Sequence, residues 1–233
     1  MRSYRLLGGI LTSLWLAPTA LAHDYWFERE GDAYALYQGH LYSPHEGEPR
    51  VPYDPSIVQQ SYCARGNGEL TRLPASTTYP LKLKVGCAAF FVQSSSGYWT
   101  QTLTGTKNKP KNETFGGLRS WLSDESIKLI ESWTPALAAP LTQGLELVPI
   151  GNPLTVAAGD KVRLKATWKG QPKPGVTVAY QGDPRGVTDN DGAVNIRLRQ
   201  AGAQVISASF EEALNDPKAD KVVRATILQF QTK

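Results

Sequence analysis

Across the second half of the chain, short runs that alternate apolar and polar residues recur between clusters of Gly, Pro, Asn and Asp. In KVRLKATW the residues Val162, Leu164, Ala166 and Trp168 fall on one side of an extended backbone, and VTVAY follows the turn KGQPKPG. AVNIRLR sets Val194, Ile196 and Leu198 inward, and AQVISASF and VVRATILQF continue the series, with DNDG and EEALNDPKAD as breaks. A repeat of two is the period of a strand with one buried face, because successive side chains leave a strand on opposite sides. Evenly spaced short strands of this kind predict an immunoglobulin-like sandwich from about residue 150 to the end. Such a scaffold says little about function.

The first half is also mostly extended: DYWFERE, DAYALYQG, YPLKLKV and CAAFFVQ alternate or run apolar, with Pro and Gly between them. One helix is expected. Ser123 can cap SDESIKLIESW, in which Ile127, Ile130 and Trp133 fall near one helical face, Asp124 and Glu125 suit the positive N-terminal end, and Pro135 ends the run. The fold class predicted is therefore all-β, two β-sandwich (immunoglobulin-like) domains with one short helix. GLELVPIGNP, residues 144–153, leads into the second sandwich, so the expected divisions are 1–22, 23–148 with the functional site, and 149–233.

Residues 1–22 read as a secretory signal peptide. Arg2 and Arg5 precede the apolar run LLGGILTSLWL, and Ala20 and Ala22 occupy the small-residue positions before a cut. The run is shorter than the roughly 20 residues of a membrane helix, and no later stretch approaches that length. Cleavage after Ala22 is expected to release a periplasmic chain that begins at His23 and does not insert into the membrane. Export also bears on Cys63 and Cys87, which are expected to pair, a closure worth roughly 3 to 4 kcal/mol in the chain-entropy model. Of 25 basic residues two lie in the signal, so the remaining balance against 21 acidic ones is 23 − 21 = +2. That is too small for a chain that binds nucleic acid or membranes by charge alone. The basic run TKNKPKNE, residues 106–113, reads as a solvated loop.

Chemistry points to the N-terminal segment. All three histidines, His23, His40 and His45, lie close together in sequence. A histidine at the start of a chain offers its amine and its Nδ1 to one ion in a six-membered chelate ring. An α-amine titrates near 7.7 to 8.0 and an imidazole near 6.5, so a metal displaces their protons readily around neutral pH. On extended backbone His23 shares a face with Tyr25 and Phe27, and His40 with Leu36 and Gln38, so neighbouring strands can bring His23 and His40 together. His45 follows Pro44 in the next loop, and Glu46 and Glu48 are oxygen donors nearby. A nitrogen-rich set of this kind suits a planar or square-pyramidal Ni(II) or Cu(II), and also Co(II) or Zn(II). The bland alternative is a chance cluster: an accidental first residue, a hydrogen-bonded strand histidine and a surface loop histidine.

Other constellations fail. DNDG reads as a hairpin turn and not a calcium loop, since Val194 and Gln200 stand where Gly and Glu are required. There is no G-x-S-x-G, phosphate-binding loop or HExxH, and no enzyme activity is expected. The single methionine is Met1, so the exported chain has no thioether ligand.

The stretches AHDYWFE, GHLY, LELVPIGNPLTVAAGDKVRLKATWKGQPKPGVTVAYQ and GVTDNDGAVNIRLRQAG together resemble a bacterial periplasmic family of nickel or cobalt transport components whose domain type is uncharacterised. The resemblance runs over most of the exported chain and is looser from Cys63 to Pro140. It implies a periplasmic protein that binds Ni(II) or Co(II) beside a membrane metal importer, and carries His23 and His40 over as ligands. His45 is added from its chemistry alone. Two further readings stand beside this one: a copper oxidase with a histidine brace, for which Tyr25 or Tyr42 would be the axial group, and a metal-free structural sandwich.

Overall fold

The computed structural model describes residues 24–42 and 47–233. In the first part of the chain β1 covers Asp24–Glu30, β2 Ala33–Gly39, β3 Val58–Ala64, β4 Leu70–Arg72 and β5 Leu81–Lys84. There follow β6 (Ala89–Ser94), β7 (Tyr98–Thr102), β8 (Gly105–Lys107) and β9 (Arg119–Ile130). The second part holds β10 (Glu146–Pro149), β11 (Lys161–Trp168), β12 (Gln171–Pro172), β13 (Thr177–Tyr180) and β14 (Asp183–Val187). It ends with β15 (Ala193–Arg197) and the long pair β16 (Gly202–Asp216) and β17 (Ala219–Thr232).

These strands form three layers. A ten-stranded sheet in the order β14-β13-β16-β17-β9-β6-β3-β4, with β7 and β8 attached beside β9, lies in the middle. One of its faces is covered by β10, β11, β12 and β15, the other by the three-stranded sheet β1-β2-β5. Strands from the two halves of the chain meet in the central sheet, where β17 runs parallel to β9 from Lys221↔Trp121 to Phe230↔Ile130. In the second half, β10, β11 and β15 face β14, β13, β16 and β17, an immunoglobulin-like sandwich of two antiparallel layers.

Alternate residues of the middle strands serve opposite layers. On β17, Leu228 and Phe230 pack with Val162, Leu164 and Ile196, whereas Ile227 packs with Tyr25, Phe27 and Leu36. Residues 226–230 and 126–130 are consequently all buried. A strand covered on both faces loses the polar half of its alternation.

That loss explains the misread helix. SDESIKLI belongs to β9 and not to a helix. Ile127 and Ile130, which suggested a helical stripe, pack into opposite layers, and Trp133 lies past the strand end. Asp124 pairs with Arg224, its partner in the parallel register of β9 and β17. DNDG is a tight turn in which Asp189 Oδ1 accepts from the N–H groups of Asp191 and Ala193. It carries the chain from β14 in the central sheet to β15 in the outer one, so it is not a hairpin turn.

One covalent and one buried ionic tie brace the strands. Cys63 and Cys87 form the expected disulfide. Lys128 Nζ meets Glu146 Oε1 at 2.7 Å, with both side chains at most 1% exposed. Glu146 Oε2 also accepts from the backbone N–H groups of Leu141 and Thr142 and from the Thr142 hydroxyl. A buried pair persists only when its remaining lone pairs are satisfied in this way, and here it ties β10 to β9.

Candidate metal centre

β1 is an edge strand that pairs with β2 in the register Asp24↔Gly39, Phe27↔Leu36, Glu30↔Ala33. Tyr25 and Phe27 of β1 and Leu36 of β2 face the central sheet together. Trp26, Ala35 and Tyr37 form a small cluster on the opposite side. The outward N–H and C=O of an edge strand need partners when buried. At Phe27 both come from Gln229 of β17, whose Oε1 accepts from the Phe27 N–H and whose Nε2 donates to the Phe27 carbonyl, each at 2.7 Å. One glutamine thus ties the strand at the start of the described chain to the central sheet.

At the far end of β2 the chain doubles back. The His40 N–H donates to Pro49 O at 3.2 Å and the Val51 N–H to Gln38 O at 2.8 Å, so residues 49–51 run beside 38–40. Gly39, at φ +154°, permits this approach, because a Cβ there would lie 2.2 Å from Pro49 O. The His40 ring lies against Gly47, where a Cβ would fall 3.0 Å from Cδ2 and 3.1 Å from Nε2. Substituting either glycine would displace the loop or the imidazole.

Tyr42 completes the surroundings. It packs over Gly182, beyond β13 in the second half of the chain, where a Cβ would come within 3.1 Å of Tyr42 Cβ. Burial, then the negative charge of Asp24 and the nearby Tyr180, push the Tyr42 phenol up to about 12. On the inner side of β1, burial first and the Glu125 carboxylate second raise the Tyr25 phenol. Burial in turn pushes Glu125 up to about 7, opposed by Tyr25 and Ser123.

Of the three histidines singled out from the sequence, His40 stands at the end of β2; His23 and His45, with Glu46, lie outside the described residues. Glu48 is exposed in the returning loop. Among the described residues no group of three or more His, Cys, Asp or Glu side chains is arranged for a metal. The donors brought to this end are an imidazole, a carboxylate and a phenol, and the disulfide removes both thiols. Nitrogen and oxygen donors without sulfur fit Ni(II), Co(II), Cu(II) or Zn(II) and disfavour Cu(I). Tyr180, Gly182 and Gln229 had no signal in the sequence, since each meets a residue of this end from more than a hundred residues away along the chain.

Residues 20–212 match the model of a protein family described as a domain of unknown function, DUF4198. The chain belongs to this family. The DUF4198 description assigns no activity and makes no link to nickel or cobalt transport. No curated protein matches the sequence. Among solved structures, the chain is similar to the N-terminal four Ig domains of Dscam1 in isoform 1.9, at 10% identity over 75% of this chain, and in isoform 9.44, at 11% over 78%. The TM-score is 0.24 in both, and the chain spans only 37% and 38% of those structures, so the likeness bears no weight.

Proposed function

We propose that this DUF4198 protein is a periplasmic metal-binding protein of a nickel or cobalt uptake system. It takes Ni(II) first, with Co(II) and Cu(II) as competitors, through the amine and ring of His23 at the processed N-terminus together with His40. His45 is the candidate for a further nitrogen. A membrane metal importer is the partner that such cargo requires. The supporting observation is the register of β1 and β2: Asp24, the residue after His23, pairs with Gly39, the residue before His40. The loop that returns over Gly39 and sets Gly47 against the imidazole supports a fixed place for that ring. The Cys63–Cys87 disulfide agrees with an oxidising compartment.

The test is metal content after chelation and refilling, with His40→Ala beside the natural protein. The proposal expects one ion per chain at most, and affinity lowered by His40→Ala with the unfolding midpoint unchanged. An unaltered affinity would remove His40 from the site. Oxidation of a reductant by the Cu(II)-loaded protein would favour the copper-oxidase reading instead.

A further inference from the structure

The end of the central sheet formed by β7, β8 and the start of β9 exposes side chains that a free protein surface would be expected to cover. Leu103 is 91% exposed and Phe115 fully exposed, and Leu118 is 55% exposed, three of the five large apolar residues so exposed among the described ones. They belong to one end of the fold. Leu103 lies in the turn between β7 and β8, and the Leu118 N–H donates to Gln101 O of β7. Phe115 is in the loop that closes onto the same hairpin, where Gly117 comes up against Thr100.

Cations surround these tips. Lys107, Lys109 and Arg119 are exposed, and Gln101↔Arg119 places the arginine beside the hairpin. Lys111 and Lys218 also lie here, joined through the Lys111 N–H and Lys218 O. The nearby carboxylates are Glu113, Asp216 and Asp220. Asp220 is bridged to Lys111 and accepts from Ser120, and Asp216 accepts from the Lys218 N–H. One step further from the tip, Trp99 and Trp121 pair across β7 and β9, both half-buried. The order from tip inward is apolar side chains, cations, then tryptophans.

We infer that this end docks on an anionic lipid bilayer, with Leu103, Phe115 and Leu118 entering the interface and Lys107, Lys109 and Arg119 meeting the headgroups. Exposed apolar side chains clustered at one end mark a contact surface, and the cations around them here favour an anionic one. Cations beside the inserted groups supply the attraction to anionic headgroups, and tryptophans at the next level match the residue type enriched where bilayer meets water. The small net charge of the whole chain does not oppose this, because attraction within a Debye length depends on where the charges sit. The inference does not rest on the metal reading.

The experiment is co-sedimentation of the protein, purified after export, with vesicles of phosphatidylcholine alone or mixed in equal parts with phosphatidylglycerol. Partition onto the anionic vesicles is expected to be at least about tenfold stronger and to fall as salt is raised. Leu103→Ser with Phe115→Ser and Leu118→Ser should weaken it roughly a hundredfold. Lys107→Glu with Lys109→Glu and Arg119→Glu should abolish the preference for anionic lipid. Phe115→Trp, which keeps an apolar ring, should bind as the natural protein does. Equal partition onto both vesicle types, or no loss in either triple variant, would overturn the inference. So would a dimer in sedimentation velocity that the serine variant abolishes, without vesicle binding, since that places a second copy of the chain on this surface.

Discussion

The middle of the central sheet and the free end of the β1–β2 pair are built from similar residues, yet they are held in opposite ways. In β9 and β17 five consecutive residues are buried between two layers, and the buried Lys128–Glu146 pair is saturated with hydrogen bonds. At the end of β1 and β2, beyond the buried Tyr25 and Phe27, the strand pair meets the central sheet through the Gln229 side chain and through Tyr42 packed over Gly182, while Gly39 and Gly47 shape the returning loop around His40. Stability resides in the first region and candidate chemistry in the second. Substitutions at the site should therefore alter binding without unfolding the protein, and those in the middle should do the reverse.

The largest effect expected is at Lys128. Lys128→Met leaves Glu146 charged and buried without its partner, which should cost about 3 to 5 kcal/mol in urea unfolding. Adding Glu146→Gln should recover part of that loss, because the amide still accepts from Leu141 and Thr142. Removal of the disulfide by Cys63→Ala with Cys87→Ala comes next, at about 3 kcal/mol for a closed segment of 24 residues. Neither change should alter the metal affinity of the protein that remains folded. A shift in affinity from either would show that the two regions are not separate.

Gln229→Leu sharpens the comparison, since Gln229 bonds β1 to the central sheet. It orphans the Phe27 N–H and C=O, a cost of about 2 kcal/mol. Hydrogen exchange at the Phe27 amide should accelerate, and metal affinity should fall with it. The smallest effect concerns Glu125. Its folded value of about 7 lies above the ordinary 4.5, so the native state holds more protons than the unfolded state between those values. Stability from this group is present below about pH 4.5 and is lost as pH rises from there through about 7. Glu125→Gln should leave stability at pH 4 unchanged and raise it at pH 8 by on the order of 1 to 2 kcal/mol, measured as urea midpoints.

The all-β class was legible because β11, β13 and β15 each bury one face and keep their alternation. β9 was not, since burial on both faces replaced alternation with a run in which Ile127 and Ile130 imitate a helical stripe. Nor was the parallel pairing of β9 with β17, which no local pattern encodes. At the site, the grouping of Tyr25 with Phe27 on one face of β1 follows from a period of two, whereas the burial of that face together with Leu36 against the central sheet depends on the layer above it. The roles of Gln229, Gly182 and Tyr180 come from distant strands, so periodicity cannot reveal them.

Calorimetric titration of Ni(II) into protein beginning at His23, beside the same protein with one extra residue before it, tests the central claim most directly. The extra residue keeps the imidazole of His23 but turns its amine into an amide. Loss of that donor should lower affinity by more than about 100-fold, beyond the range typical of outer-shell changes. Affinity of the processed protein should also drop as pH falls from about 8 toward 6, as amine and imidazole protonate. Equal affinities, with the same dependence on pH, would contradict chelation by the N-terminal histidine.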